Sequence, residues 1–116
     1  MHILICQRDN MQLYSLDSMI RGWFVGDFTP SVIQTKDFEV GIKYYKEGDY
    51  EECHTHKIAT EITVIVTGSV RMRGKEYKQG DIIVIEPNES SDFLALSDCI
   101  TAVVKTPSVT KDKYKV

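Results

Sequence analysis

The chain lacks most of the marks that assign a sequence to a functional class at sight. No apolar run approaches the length of a membrane helix, so no membrane partner is expected. MHILIC at the start is apolar but far too short for a signal peptide, and no small-residue cleavage site follows it. There are three cysteines, Cys6, Cys53 and Cys99, widely spaced and without a CxxC pair. An odd, scattered set fits reduced thiols better than a disulfide framework or a structural zinc site. The expected compartment is therefore cytoplasmic. Basic blocks are missing too. Lysine and arginine are scattered through a chain of formal net charge −3, which argues against nucleic acid as a partner. Lys111, Lys113 and Lys115 read as a solvated tail. Repeats, low-complexity segments and linkers are absent, and 116 residues fit one domain.

Helical periodicity is scarce as well. Val, Ile, Thr, Tyr and Phe come in short runs divided by Gly, Pro, Asn and Asp, the pattern of an all-β domain. Residues 2–6 read as an edge strand and 7–10 as a turn, and 13–20 hold a single helical turn around Leu16, Asp17 and Ser18. Residues 21–28 (RGWFVGDF) predict a strand with a bulge or a close backbone approach at its glycines. Further strands are expected at 32–35, 38–45, 62–66, 70–73, 82–85, 92–96 and 100–105, with turns at Gly48, Gly68, Gly74 and Gly80. The run Ile82 to Ile85 is apolar throughout, as in a strand buried on both faces. Regularly spaced short strands point to a sandwich or barrel.

One stretch carries chemistry: GDYEECHTHKIATEITVIVTG, from Gly48 to Gly68. His54 and His56 are two of the three histidines in the chain, and Glu61 follows five residues later. Residues two apart on a strand share a face, so the two imidazoles lie side by side. A carboxylate a few positions on can converge with them. Imidazole suits Zn, Cu, Fe and Ni, and oxygen ligands move the preference toward Mn and Fe. Two histidines and a carboxylate make a facial triad with open positions. Cys53 alternates with the histidines and is expected to face away from them. Trp23, Phe24, Tyr44 and Tyr45 are expected to pack the barrel or a dimer interface, with one or two lining the pocket.

The spacing Gly48-x5-His54-x-His56-x4-Glu61-x6-Gly68 resembles the first motif of the cupin family, G-x5-H-x-H-x3,4-E-x6-G, at every fixed position. The second family motif, G-x5-P-x-G-x2-H-x3-N, is matched in part. Gly80 and Pro87 stand with one extra residue between them, and Glu89, Asp92 and Leu96 occupy the glycine, histidine and asparagine positions. The resemblance implies a double-stranded β-helix (jelly-roll) barrel spanning residues 38–105, with N-terminal strands and turns in 1–37 and a polar tail in 106–116. It further implies a homodimer and a divalent metal, Zn, Fe, Mn or Ni, in the barrel mouth. The candidate metal ligands are His54, His56, Glu61 and Asp92, and the candidate catalytic residues are His54, His56 and Asp92.

Blander readings exist for each. The histidines can be surface residues at a hairpin end, Glu61 an edge charge, and Asp92 a solvent-exposed strand start. Buried among apolar neighbours, an unpaired Asp92 carboxylate would be costly, and a metal or a proton would justify it. Three functions are compatible with the pattern. The first is a metal-dependent enzyme on a small organic or sugar-derived substrate. The second is a metal-free sugar-nucleotide ketoisomerase or epimerase with His54 and His56 as acid and base, since His54-Thr-His56-Lys57 resembles such enzymes of this fold. In that case the Arg21-Gly22 pair holds a phosphate or carboxylate, or is merely a surface arginine beside a glycine. The third is a non-catalytic ligand-binding module.

Overall fold

The computed structural model describes residues 11–116. The strand and turn expected within residues 2–10 lie outside that range. Among the described residues, one 3-10 turn, Leu16–Ser18, precedes ten strands. They are β1 (Trp23–Val25), β2 (Glu39–Tyr45), β3 (Tyr50–Thr55), β4 (Thr60–Thr67) and β5 (Ser69–Met72), then β6 (Lys75–Lys78), β7 (Ile82–Ile85), β8 (Ser90–Ala95), β9 (Cys99–Thr106) and β10 (Tyr114–Lys115). Two five-stranded antiparallel sheets result, ordered β1-β2-β9-β4-β7 and β10-β3-β8-β5-β6. Sequence neighbours repeatedly fall in opposite sheets, the double-stranded β-helix arrangement.

Local chemistry explains the corners. Arg73-Gly74 joins β5 to β6 with positive φ at both positions, as the tight hairpin turn matching strand twist requires. Arg21-Gly22 repeats the device between Ile20 and Trp23. Gly22 has no alternative there, because a Cβ would run into the Ile42 carbonyl. Trp23 lies across Gly41, where an added Cβ would come within 2.7 Å of the indole. The expected bulge in β1 is present, between Trp23 and Val25.

The interior is graded along the barrel axis. At one end Ile65, Val70, Met72, Phe93, Ala95 and Cys99 form the buried core. Moving along β9, the residues on the inner face run Cys99, Thr101, Val103, Lys105, and along its partner β4 they run Ile65, Thr63, Glu61. Each strand thus turns from apolar to polar toward the same end of the barrel. That end is open to chemistry; the other is filled.

Four expectations change. Residues 32–35 do not form a strand: Ile33 makes an isolated bridge to Val25, while the Val32 amide bonds the Phe24 carbonyl. Residues 75–78 form a strand, β6, where only the flanking turns at Gly74 and Gly80 are expected. Strand β7 is buried on one face only, since Ile82 and Val84 are 64% and 52% exposed. An edge strand of a sheet packed on one side leaves its other face bare, and a continuous apolar run cannot reveal that. Residues 112–115 are not a free tail. Tyr114 and Lys115 pair with Thr55 and His54 of β3, and Asp112 is 5% exposed.

Candidate metal centre

The polar end of the barrel is built around β3, which departs from simple alternation. Glu51 pairs with Phe93 and His54 with Ser91, so three residues of β3 span two of β8. The extra residue is a β-bulge at positions 52 and 53, and bulges of this kind re-aim side chains beside sites. Its effect is to put Glu51, His54 and His56 on the cavity wall together. Cys53 falls within the bulge as a free, half-buried thiol.

His54, His56 and Glu61 converge, with one donor atom from each lying within 4.8 Å of the others. Their supports fix the ring orientations. His54 Nδ1 lies 2.9 Å from the Glu52 carbonyl, and His56 Nδ1 lies 2.6 Å from the Asp112 carbonyl. A carbonyl only accepts, so both Nδ1 atoms donate, and in the neutral rings both Nε2 atoms carry the lone pair. Histidines that hold metals are oriented in this way by a second bond from the far nitrogen.

His56 Nε2 is the more telling atom. The residue is 5% exposed, and its Nε2 has no hydrogen-bond partner among the described residues. Glu61 Oε1 lies 3.5 Å away, too far for a good hydrogen bond. A buried lone pair facing a carboxylate at that distance leaves both groups short of a cation or a proton. Burial works to raise the Glu61 pKa, yet the facing His56 and the charge of Lys105 hold it below the ordinary carboxylate range. Glu61 therefore stays ionised. Neighbouring Thr63 donates to its Oε2 at 3.4 Å.

Asp112 locks the histidine loop from outside. Its carboxylate accepts from the backbone amides of Lys57, Ile58 and Ala59 at 3.0–3.3 Å. Burial alone would raise its pKa, but these three amides bring it below the ordinary value. One residue thus supplies the carbonyl that orients His56 and the carboxylate that holds the next three residues. Nothing in the sequence between Pro107 and the end marks Asp112, because its partners lie more than fifty residues away. A single acidic residue among the three lysines of the last eleven residues was the only available sign.

Asp92 is not brought into this group. It borders the cavity, but its Oδ1 accepts from the Arg73 amide at 2.8 Å across the β5–β6 turn. On β8 the buried alternates are Ser91, Phe93 and Ala95, so Ser91 holds the inward position opposite His54. The expected fourth ligand thus sits at the edge of the cavity, with its carboxylate turned to the β5–β6 turn.

The cavity holds about 230 Å³. Trp23, Tyr45 and Phe93 are the aromatics that line it beside the cluster, whereas Tyr44 is 67% exposed on the outside. Tyr45 stacks on Phe93 at 4.4 Å between centroids and donates to Glu51 at 3.3 Å. Burial first, then the Glu51 charge, raises the Tyr45 pKa far above its ordinary value, so the phenol keeps its proton.

No protein-family model matches the chain, and no curated protein sequence does either. Solved structures do. A conserved protein with a double-stranded β-helix domain from Klebsiella pneumoniae superposes with a TM-score of 0.64 at 19% identity, covering 86% of this chain and 93% of that one. An RmlC-like cupin from Shewanella frigidimarina gives 0.59 at 17% identity, over 67% and 72% of the two chains. The DMSP lyase DddQ from Ruegeria pomeroyi gives 0.66 at 16% identity, over 89% of this chain and 55% of that one. The class is thereby defined: the chain has the small cupin fold, a double-stranded β-helix. More particularly, it is a cupin barrel with a His54/His56/Glu61 cluster, and proteins of similar fold include enzymes.

Proposed function

We propose that the protein is a metal-dependent enzyme acting on a small organic substrate in the barrel mouth. One observation carries the reading: two histidines have their Nδ1 atoms tied to backbone carbonyls, and the buried Nε2 of His56 lacks a partner while facing an ionised Glu61. His54, His56 and Glu61 would hold a divalent ion, and the mixed imidazole and carboxylate set fits Zn, Fe, Mn or Ni. Bound there, the ion supplies polarisation of a substrate oxygen. The chain's own contribution lies around it. Tyr45 keeps a phenolic proton available at the cavity wall, Glu51 accepts its hydrogen bond, and Trp23 and Phe93 exclude water. Elemental analysis after metal-supplemented purification tests the proposal. About one divalent ion per chain and a melting temperature that falls in chelator are expected; no bound metal and no chelator effect would overturn it.

The metal-free reading draws on the same His56–Glu61 pair, since a carboxylate beside an imidazole also serves a general base. It requires turnover that survives chelation. Two further parts of the reading concern assembly and compartment. A homodimer is supported by the bare apolar face of the β1-β2-β9-β4-β7 sheet, where Tyr44, Val66, Ile82 and Val84 are 67%, 42%, 64% and 52% exposed. Sedimentation should give twice the chain mass, with Val84→Lys giving the monomer. The free thiols of Cys53 and Cys99 fit the cytoplasm. Among the described residues, no helix is long and apolar enough to cross a membrane.

A further inference from the structure

The mouth of the cavity carries a second feature that the metal cluster does not use. Arg21, Lys43, Lys105 and Lys113 all line it, in a chain whose formal net charge is −3. Among the described residues none of the four forms an ion pair with a carboxylate. The lysines are placed, not loose. Lys43 and Lys105 set their ammonium groups 5.1 and 5.0 Å from the centroid of the same Trp23 ring, and Lys43 Nζ donates to the Arg21 carbonyl at 2.7 Å. Burial first lowers the Lys43 pKa, and the charges of Arg21, Lys105 and Lys113 lower it further against the opposing pull of Glu51. These cations are close enough to repel one another.

The carboxylates on the same wall are already engaged. Glu61 belongs to the histidine cluster, Glu51 accepts from Tyr45, Glu89 from the Glu86 amide, and Asp92 from the Arg73 amide. Four cations and four carboxylates cancel in number, so a divalent ion in the cluster would leave the lining with an excess of positive charge. Deeper in, Thr101 is 1% exposed, lines the cavity, and its hydroxyl has no hydrogen-bond partner among the described residues. An unsatisfied buried hydroxyl calls for a partner that the protein itself does not provide.

We infer that the cavity takes a small organic anion, its carboxylate or phosphate gripped by Lys43, Lys105, Arg21 and Lys113 and its polar body reaching Thr101. The volume limits its size. At about 230 Å³ the cavity falls below the usual range for drug-sized ligands, which suits a compact acid and not an enclosed nucleotide sugar. The inference deepens the metal-site reading and rests on it for the excess positive charge.

The test uses three ligands of one skeleton: D-glycerate, sn-glycerol 3-phosphate and glycerol, titrated calorimetrically into metal-loaded protein. One or both anions should bind in the millimolar range, at least about ten-fold more tightly than glycerol, with affinity falling as ionic strength rises. Whichever anion binds identifies the group. Lys43→Met with Lys105→Met keeps the aliphatic stems on Trp23, and should abolish that preference without lowering metal content or melting temperature. Glycerol binding as tightly as the anions, neither anion binding, or a preference that survives the double variant would each overturn the inference. Elemental analysis of the same samples separates the two failures. Metal bound without anion preference sinks this inference alone, whereas anion preference in a protein that takes up no metal sinks the metal reading and leaves the anion site standing.

Discussion

Strands β3 and β8 lie side by side in one sheet, with His54 directly opposite Ser91, yet one carries the chemistry and the other almost none. β3 and the turn after it deliver two oriented imidazoles, each fixed by a backbone carbonyl. β8 presents Ser91, Phe93 and Ala95 to the interior, and its one acidic residue caps a hairpin instead. The strands differ in how their registers are set. β3 takes up an extra residue as a bulge, which puts His54 and not Cys53 on the cavity wall. β8 follows strict alternation, so a residue one place out of register is lost to the site. The cluster of candidate donors is therefore lopsided, three from β3, its following turn and β4 with none from β8.

The sharpest way to break this contrast is to empty the β3 side. His56→Ala removes the buried donor whose Nε2 lacks a partner, and bound divalent metal should fall from about one per chain to near zero. His54→Ala should do the same with less damage to folding, because His54 is only half-buried. Elemental analysis and chelator-dependent melting read both. Metal retained at full stoichiometry in His56→Ala would mean that the cluster is not the site.

Next in size is the support behind the ligands. Asp112→Ala leaves the amides of Lys57, Ile58 and Ala59 without their acceptor, a loss of about 3 kcal/mol, and loosens the carbonyl that orients His56. Metal affinity should drop about 10–100-fold, the usual scale for such outer partners. The acid dependence has a definite sign. A carboxylate whose folded pKa lies below its unfolded value stabilises the fold above about pH 3.9, and that stabilisation disappears as pH falls through the folded value. Urea unfolding between about pH 5 and 2 should show this loss in the native chain and a flatter profile in Asp112→Asn. Equal slopes would remove Asp112 from the account of acid stability.

These two effects also divide what the sequence could reveal from what it could not. Glycine punctuation and two-residue periodicity were enough for an all-β sandwich or barrel, and the spacing from Gly48 to Gly68 was enough to choose the cupin barrel and to expect that His54, His56 and Glu61 converge. All of that is local in the chain. Asp112 was invisible because its amide partners are distant in sequence. The bare outer face of β7 was invisible because a run such as Ile82–Ile85 records apolarity and not which face is covered. Asp92 failed for a third reason. Matching a motif by counting places a residue on a strand, but a single extra residue between Gly80 and Pro87 decides the face.

Rebuilding the missing donor sharpens the comparison. Ser91→His puts an imidazole at the inward position opposite His54, in a cavity with room beside the cluster. Metal affinity measured by competition with a chromogenic chelator should rise, by about ten-fold for one added ligand bond worth 1.4 kcal/mol net. No rise would place the β8 wall too far from the ion to matter, and the lopsided set would then be a fixed property of this barrel.

The smallest expected effect is the most discriminating for β8. Asp92 accepts from the Arg73 amide at the β5–β6 turn, so Asp92→Ala should cost about 1 kcal/mol of stability, the net worth of a typical hydrogen bond. Metal stoichiometry and affinity should not change. Arg73 has positive φ with Gly74 after it, and the carboxylate that holds its amide secures a turn whose conformation non-glycine residues adopt reluctantly. If Asp92→Ala instead lowers metal affinity to the extent that His54→Ala does, the carboxylate swings inward in the loaded protein. The two strands would then share the ion, and the asymmetry between β3 and β8 would describe only the metal-free barrel.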